Sequence, residues 1–318
     1  MKVWILTKKK WEFTWHNHRF REVAKEMGIE LDVVFPEDFD IVVTKEGKSS
    51  IYFKGNNIKL PDCLLPRMGS STTYFACAVI RHLEHLGVMV LNSSESIELS
   101  KDKLATLQVL TKNNIPIPKT MLAKFPIDMD TINKEFSYPI ILKTVSGSHG
   151  KGVFLCENEH KLKDTLDLME ISKDPKVNLI LQEFMKSSKG MDLRVIVIGG
   201  RPYGVILRKA KRGKYKSNFT TGGNVSLYNM NPNIEWLAVE STRLLDLDIA
   251  GVDILFDGNK YVVCEVNSSP GFKGFEKATK INMPKVIFDY INLRLGEGLE
   301  PKRLKRGVKS NIKSLKQR

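Results

Sequence analysis

Two acidic side chains and one amide lie on neighbouring apolar segments in a pattern that suits metal binding. The segment 261–271, YVVCEVNSSPG, begins as an apolar strand yet contains Glu265 and Asn267, and the preceding segment AGVDILF contains Asp253. Side chains alternate between the faces of a strand, so Glu265 and Asn267 share one face. A carboxylate on a buried strand needs a compensating partner. Two carboxylates and an amide oxygen are ligands typical of Mg²⁺ or Mn²⁺.

The turn between these two strands decides whether Asp253 joins the other two side chains. If 257–259 forms a three-residue loop, Asp253 lies opposite Val263 and shares the face of Glu265 and Asn267. A two-residue loop would place Asp253 on the other face. We therefore predict the three-residue loop, with Asp253 and Glu265 as diagonal neighbours about 7–8 Å apart. The alternative is that these residues are solvated at a sheet margin.

A glycine-rich segment, LKTVSGSHGKGV, follows a second apolar strand. Lys143 ends the strand, and Gly147, Gly150 and Gly152 follow it. Such a loop frees backbone N–H groups to surround a phosphate, and the lysine adds a point charge. It is not a Walker A loop, because Lys151 is followed by glycine and not by Ser or Thr. The alternative is a flexible hairpin.

Two further segments suggest a nucleotide. In LILQEFMKSSKGMDLRV, the strand end at Glu183 and Phe184 can receive an adenine, and Asp192 leaves a carboxylate for ribose hydroxyls. In VILRKAKRGKYKSNFTTGG, a run of basic residues begins at Arg208, and this segment is a candidate for binding an anion. An ordinary strand with a surface loop, and a solvated basic loop, are the respective alternatives. The residues that we single out at the end of the basic run are Lys216, Ser217 and Asn218.

The elements that must position these residues form three predicted domains. Strands alternate with helices in the first hundred residues, which predicts a parallel sheet in an α/β domain at 1–99. We predict that NSSESIELSKDK is a polar connector and that Ser100 within it caps a helix that ends before Pro116. Two α+β units follow, at 100–182 and 183–297, and a hairpin turns at Gly199–Gly200. The basic tail, 298–318, is predicted to be disordered.

Composition predicts a cytosolic protein with a basic C-terminal tail. The 318 residues have a net charge of +14, and the last 17 hold eight Lys or Arg and no acid. This tail is a solvated terminus or a contact for nucleic acid or polyglutamate. No stretch approaches the ~18 apolar residues of a membrane span, and the start is too short in apolar length for a signal peptide. The four cysteines show no CxxC spacing, as expected for reduced structural thiols.

The order of these segments resembles the ATP-grasp fold, and within it the RimK-type glutamate ligases. The resemblance rests on SKDKLATLQVL, IILKTVSGSHGKGV, LQEFMKSSKGMDLRV, LRKAKRGKYKSNFTTGG, AGVDIL and CEVNSSPG, and on the N-terminal run LLPRMGSSTTYFACAVIRHLEHLGVMVLN. It covers residues 1–295. It implies an α/β and α+β protein with an N-terminal Rossmann-like pre-ATP-grasp domain and an ATP site between two α+β subdomains.

The resemblance also implies roles for individual residues. Arg208 would stabilise the acyl-phosphate oxygens as the catalytic residue. The residues that would hold two Mg²⁺ or Mn²⁺ ions are Asp253, Glu265 and Asn267. The residues that would contact ATP are Lys103, Lys143, Gly147, Gly150, Gly152, Glu183, Phe184, Asp192, Lys216, Ser217 and Asn218. At Lys216 the family pattern has Arg, so bidentate phosphate geometry is lost while the charge is kept.

The activity implied is ATP-dependent transfer of L-glutamate to a carboxylate through an acyl phosphate. The acceptor expected is the C-terminal carboxylate of a protein, as in modification of a ribosomal protein, and the rival is an acidic small molecule. A homo-oligomer, specifically a tetramer, is also implied. An RNA- or ribosome-binding protein with a vestigial ATP site is the hypothesis from another class, based on the basic tail. Against it, all three metal ligands are present.

Overall fold

The computed structural model describes residues 1–45, 50–144, 152–171, 178–211 and 223–296. The predicted tail and part of the predicted nucleotide site lie outside these ranges. The site residues concerned are Gly147, Gly150, Lys216, Ser217 and Asn218.

The described residues form sixteen strands and nine α-helices. The strands are β1 (Lys2–Leu6), β2 (Glu30–Val34), β3 (Phe39–Ile41), β4 (Ile51–Phe53), β5 (Asn56–Asn57), β6 (Cys63–Pro66), β7 (Met89–Val90), β8 (Thr120–Ala123), β9 (Ile140–Thr144), β10 (Val153–Cys156), β11 (Leu179–Glu183), β12 (Met191–Ile198), β13 (Arg201–Lys209), β14 (Asn224–Tyr228), β15 (Ile249–Asp257) and β16 (Lys260–Asn267). The α-helices are α1 (Trp15–Glu26), α2 (Tyr74–His85), α3 (Ser94–Lys101), α4 (Lys103–Lys112), α5 (Met129–Glu135), α6 (Glu159–Ile171), α7 (Pro232–Leu244), α8 (Lys273–Thr279) and α9 (Met283–Gly296). None of the helices in the described ranges has the length and apolar character that a membrane span requires.

The N-terminal sheet is parallel, as the alternating pattern predicts. Its strand order is β2-β1-β6-β7. Along β1, Val3 and Ile5 belong to the core shared with α1 and α9, while Trp4 and Leu6 belong to the core shared with α2. Helices therefore cover both faces, which explains why the strand is a continuous apolar run. The small antiparallel sheet β3-β4-β5 adds to this region.

The polar segment after β7 is a helix, so the prediction of a connector was wrong. The Ser93 side chain accepts a hydrogen bond from Ser96 N and begins α3, whose inner face buries Ile97. Ser100 lies inside α3 and donates to Ile97 O. Asp102, and not Ser100, caps α4, because its side chain accepts hydrogen bonds from Leu104 N and Ala105 N.

Two antiparallel sheets build the rest of the chain. The first has the order β10-β9-β11-β8 and packs its apolar side chains with those of α5 and α6. The second has the order β14-β13-β12-β15-β16. Its core with α7 lies on one face, and the core shared with α1 and α9 lies on the other. The hairpin between β12 and β13 turns at Gly199–Gly200, where both residues have positive φ, as predicted.

The β15–β16 hairpin has a two-residue loop, so the predicted three-residue loop was wrong. Asp257 pairs with Lys260 across Gly258-Asn259, and the ladder continues in that register to Ile254. There the register shifts by one residue, because Cys264 is an extra residue on β16. The shift places Asp253 directly opposite Glu265, and not diagonal to it. A bulge thus restores the shared face that the turn alone would have lost.

Candidate active site

A cavity of about 820 Å³ lies where the three larger sheets meet. It brings together the predicted site residues of the described ranges, with one exception. Gly152 precedes β10 with φ +72° and is not part of the cavity lining. The predicted residues that line the cavity are Lys103, Lys143, Glu183, Phe184, Asp192, Arg208, Asp253, Glu265 and Asn267.

The three predicted metal ligands share the cavity face of the β15–β16 hairpin. Asp253 pairs with Glu265, and Gly251 pairs with Asn267. A side chain at Gly251 would meet Pro270 at 2.6 Å, so glycine permits the close approach of the loop that follows β16. The Asn267 amide donates to Gly251 O at 3.3 Å, an orientation that leaves its oxygen as an acceptor.

Two arginines and two aspartates form a buried cluster beside these ligands. Arg194 donates to both Asp253 oxygens, Nε to Oδ1 at 2.6 Å and Nη2 to Oδ2 at 2.5 Å. Arg208 is bidentate to Asp192, with Nε to Oδ1 at 2.7 Å, and its Nη2 also lies 3.0 Å from Asp253 Oδ2. Every member pairs across adjacent strands, Arg194 with Asp253 and Asp192 with Arg208. The register of the sheet therefore fixes this cluster.

Sequence reasoning missed Arg194. A signal was available, because Arg194 lies two residues after Asp192 on β12 and so shares its face. The cross-strand pairing with Asp253 was not visible, since it needs the order of the sheet. The prediction that Arg208 and Asp192 reach the same site is compatible with the geometry, and their roles toward substrates stay predictions.

Charge in the cluster is balanced by neighbours and not by water. Burial opposes ionisation of Asp253, but Arg194 and Arg208 outweigh it and hold its pKa below the ordinary value. Burial likewise opposes the charge of Arg208, and Asp253 and Asp192 more than offset it, so its pKa is raised. Asp253 is therefore an ionised carboxylate whose charge Arg194 and Arg208 compensate.

The donor set fits a hard divalent cation. No three His, Cys, Asp or Glu side chains in the described ranges lie close enough to hold a metal. The predicted site has only two carboxylates, Asp253 and Glu265, and its third oxygen ligand is the side-chain amide oxygen of Asn267. Such a set leaves coordination positions for phosphate oxygens and water, as Mg²⁺ prefers. Asp253 would exchange its contact with Arg194 for the metal.

Lysines lie on the other side of these ligands. Lys143 Nζ donates to Gln182 Oε1 at 2.6 Å, a bond between β9 and β11. Lys103 Nζ, on α4, lies 3.9 Å from Glu265 Oε1. It brings a positive charge to β16, which carries Glu265 and Asn267 and which we call the metal strand. Glu183 is exposed at the end of β11, and Phe184 and Ile141 give the cavity apolar surface there. Lysines beside acidic ligands and apolar surface suit a nucleotide with its phosphates.

Solved structures define the class of protein. Over 92% of this chain and 98% of the other, the ATP-grasp ligase PsnB complexed with a minimal precursor superposes with a TM-score of 0.71 at 19% identity. D-alanine–D-alanine ligase from Bacillus anthracis superposes over 94% and 99% of the two chains, with a TM-score of 0.65 at 15% identity. The chain therefore has the ATP-grasp fold, and the predicted fold class is confirmed.

Sequence comparisons identify the family. Residues 100–291 match the RimK-like ATP-grasp domain, and residues 1–97 match the RimK PreATP-grasp domain. A "Probable alpha-L-glutamate ligase" of Legionella pneumophila (strain Corby) is 34% identical over 274 residues, covering 86% of this chain and 90% of the relative. One of the same name from Methanococcoides burtonii is 34% identical over 292 residues, covering 92% and 95%. The chain belongs to the RimK-like ATP-grasp family and is a ligase.

Proposed function

We propose that this protein uses ATP and Mg²⁺ to add L-glutamate to a carboxylate through an acyl phosphate. The observation that carries the proposal is the cavity face of β15–β16, where Asp253 lies opposite Glu265 and next to the pair of Asn267 and Gly251. The names of the relatives, which are called glutamate ligases, support glutamate as the amino acid that is added. The acceptor that we propose is the C-terminal carboxylate of a protein, and peptide precursors bound to the structural neighbour support a peptide in this position.

The proposed chemistry has two steps. An oxygen of the acceptor carboxylate attacks the γ-phosphorus of ATP, the bond to the β-phosphate oxygen breaks, and ADP leaves. The glutamate amine then attacks the acyl carbon, the carbon–oxygen bond to phosphate breaks, and the amine loses a proton. Neither step needs a covalent intermediate with a side chain of the protein.

The residues of the cavity supply binding and charge. Asp253, Glu265 and Asn267 would hold two Mg²⁺ or Mn²⁺ ions, which when bound neutralise charge on the β- and γ-phosphate oxygens. Arg208, fixed by Asp192 at the cavity wall, offsets charge on the transferred phosphoryl group. Lys143 and Lys103 would bind phosphates, and Glu183 and Phe184 the adenosine. A closed cavity excludes the water that would hydrolyse the acyl phosphate.

A screen of acceptors tests the proposal. Purified protein is incubated with ATP, Mg²⁺, glutamate and one acceptor class at a time, and products are read by mass spectrometry. We expect one or more glutamate residues on a protein or peptide carboxylate, with one ADP per residue added. Addition to an acidic small molecule alone would replace the protein acceptor by the rival. RNA binding without ATP turnover would contradict the ligase proposal.

We also place the protein in the cytosol. All four cysteines are free, and Cys63, Cys77 and Cys156 are buried in cores where they act as small apolar side chains. A tetramer and a contact of the tail with RNA or polyglutamate stay predictions from the family and from the composition. Size-exclusion chromatography with light scattering tests the first of them.

A further inference from the structure

One wall of the cavity is built by the N-terminal sheet and was not predicted as part of the site. Thr7 follows β1 and Arg67 follows β6, both at the carboxyl ends of parallel strands. His16 of α1 and Lys273 of α8 complete this wall, and Gly271 lies between it and the metal strand. We call Thr7, His16, Arg67 and Lys273 the N-terminal wall. Carboxyl ends of parallel strands are a common place for ligands in α/β domains.

Arg67 carries a partly buried guanidinium that pairs with no carboxylate in the part of the chain that the structure describes. It packs between Phe20 and Phe272, whose ring centroids lie 5.8 Å and 5.7 Å from its Cζ. Its hydrogen bond within the described residues runs from Nη2 to Pro270 O, at 2.7 Å. The surrounding protein lowers the pKa of Arg67 to about 10 through burial alone. Fixing an arginine in this way costs free energy that its single carbonyl contact does not offset.

The guanidinium of Arg67 has N–H groups that make no hydrogen bond with the described residues. Within the described residues, the fully buried side-chain polar atoms that lack a hydrogen bond are Ser241 Oγ and Arg294 Nε. The guanidinium of Arg67 is not among them, so its unused donors keep accessible surface, and Arg67 lines the cavity. A planar group with several free donors is suited to a carboxylate, which it can bind through two parallel hydrogen bonds.

His16 adds a neutral donor to the same wall. Its Nε2 accepts a hydrogen bond from Phe272 N at 3.2 Å, which leaves the proton on Nδ1. Burial, with the charges of Arg67 and Lys273, lowers the pKa of His16 to about 4. Within the described ranges Nδ1 has no partner. His16 is therefore a neutral donor beside two positive side chains.

Among the described residues that line the cavity, no acidic residue belongs to this wall. The acidic residues of the cavity lining come from β11, β12, β15 and β16, on the side of the metal ligands and the nucleotide. The lining residues within 1–99 and 268–275 include Arg67, Lys273 and His16 and no Asp or Glu. The field at this wall therefore favours an anion.

We propose that the N-terminal wall binds a carboxylate that does not react, through Arg67 with help from Lys273 and His16. The inference rests on the proposed function, in which the acid and amine substrates meet at the metal strand. Gly271 links the wall to that strand only four residues after Asn267, so a bound carboxylate lies within reach of the reaction. Two sources share this chemistry: a carboxylate of the incoming glutamate, and a second carboxylate of an acidic acceptor.

Binding measurements test the wall without relying on turnover. Isothermal titration in the presence of ADP and Mg²⁺ measures dissociation constants for glutamate, for glutarate and for a peptide that ends in glutamate. We expect Arg67→Met to weaken at least one of them about tenfold or more, and Arg67→Lys to restore part of the loss. Arg81→Met is the matched control, because Arg81 is an exposed arginine of the same domain paired with Glu98.

The outcomes separate the two sources. A loss for glutamate assigns the wall to the incoming amino acid, and a loss for the peptide alone assigns it to the acceptor. Wild-type dissociation constants for all three ligands in folded Arg67→Met would overturn the inference. Where Arg67→Met does not fold, Lys273→Met takes its place, since Lys273 is exposed and its loss leaves the cores intact. Unchanged binding in Lys273→Met would then overturn the inference.

Failure of the wall and failure of the proposed function give different results. Arg67-dependent binding of glutarate by a protein that ligates no glutamate would refute the function and leave the wall. Glutamate ligation with binding that does not depend on Arg67 or Lys273 would refute the wall and leave the function. In active protein, the ratio of kcat/KM for glutamate to that for glutamine gives a further check. It falls in Arg67→Met if the wall binds the side-chain carboxylate of glutamate.

Discussion

The two ends of the cavity treat buried charge in opposite ways. One end, which we call the metal end, holds the predicted metal ligands Asp253, Glu265 and Asn267. There the register of the sheet pairs Arg194 with Asp253 and Arg208 with Asp192 through hydrogen-bonded ion pairs. At the N-terminal wall, the Arg67 guanidinium donates to one backbone carbonyl and, within the described ranges, pairs with no acidic side chain. In the matched cluster, Arg194 and Arg208 hold the pKa of Asp253 below its ordinary value, whereas burial raises the pKa of Asp192. An unmatched arginine retains its attraction for an anion from solution. This difference supports our proposals that cations bind at the first end and a substrate carboxylate at the second.

The largest expected effect comes from Glu265, the ligand outside the matched cluster. Glu265→Gln lowers kcat roughly 10³-fold, because loss of a ligand removes several kcal/mol of charge stabilisation in phosphoryl transfer. Its side chain is 42% exposed and lies 3.9 Å from Lys103, so the fold persists. Steady-state kinetics with ATP measure the effect, with Glu240→Gln as the control at an exposed ion pair. Wild-type turnover in Glu265→Gln would contradict the metal assignment.

Asp253 differs from Glu265 because it also carries structure. Asp253→Ala leaves Arg194 without its carboxylate and should lower the free energy of unfolding by about 3–5 kcal/mol. Urea denaturation measures this change. Glu265→Ala, on the opposite strand, is the matched comparison and should change stability far less. Equal stability of the two variants would show that the cluster does not hold the sheet.

The neutral histidine of the N-terminal wall predicts a pH dependence of stability. Since the pKa of His16 falls from 6.5 to about 4 on folding, the unfolded chain binds more protons between these values. Its contribution is fully present above pH 6.5 and is lost as pH falls toward 4, by roughly 2–3 kcal/mol. His16→Gln should remove this part of the slope in denaturant titrations across that range. His18→Gln, an exposed position on the same helix, should keep the wild-type slope.

A smaller effect is expected at the nucleotide side of the metal end. Lys143→Met raises KM for ATP about tenfold, because it removes a charge and a donor beside the phosphates. Lys163→Met, at an exposed pair with Glu159, is the control. Steady-state kinetics at varied ATP and saturating glutamate read the change. A raised KM for glutamate in place of ATP would assign Lys143 to the other end of the cavity.

Particular residues show how far the sequence predicts this site. The shared face of Asp253, Glu265 and Asn267 follows from strand alternation and was predicted, although by the wrong register. The bulge at Cys264 was not visible from the sequence. Next to it, Val263 N donates to Pro116 O at 2.8 Å, a contact with a segment nearly 150 residues earlier. A contact between residues so far apart in sequence cannot be predicted from local sequence patterns.

Other differences have similar causes. The segment that forms α3 was predicted to be a connector because its residues are mostly polar. Its Ile97 and Ser96 are buried by residues that are distant in sequence, and a local pattern does not show those neighbours. Arg67 was not predicted as a site residue, since its isolation from acids depends on how α1, α8 and β6 meet. Short-range sequence patterns therefore predict which core segments are strands and which are helices. They do not predict which charged side chains pair, because that depends on the order of strands in the sheets.

The most direct test of the metal end is a crystal structure with ADP and Mn²⁺, read by anomalous scattering. We predict anomalous peaks about 2.1 Å from oxygens of Asp253, Glu265 and Asn267, with Arg194 displaced from at least one oxygen of Asp253. Manganese bound elsewhere, with the Arg194–Asp253 pair intact in the nucleotide complex, would contradict the assignment of cations to this end of the cavity.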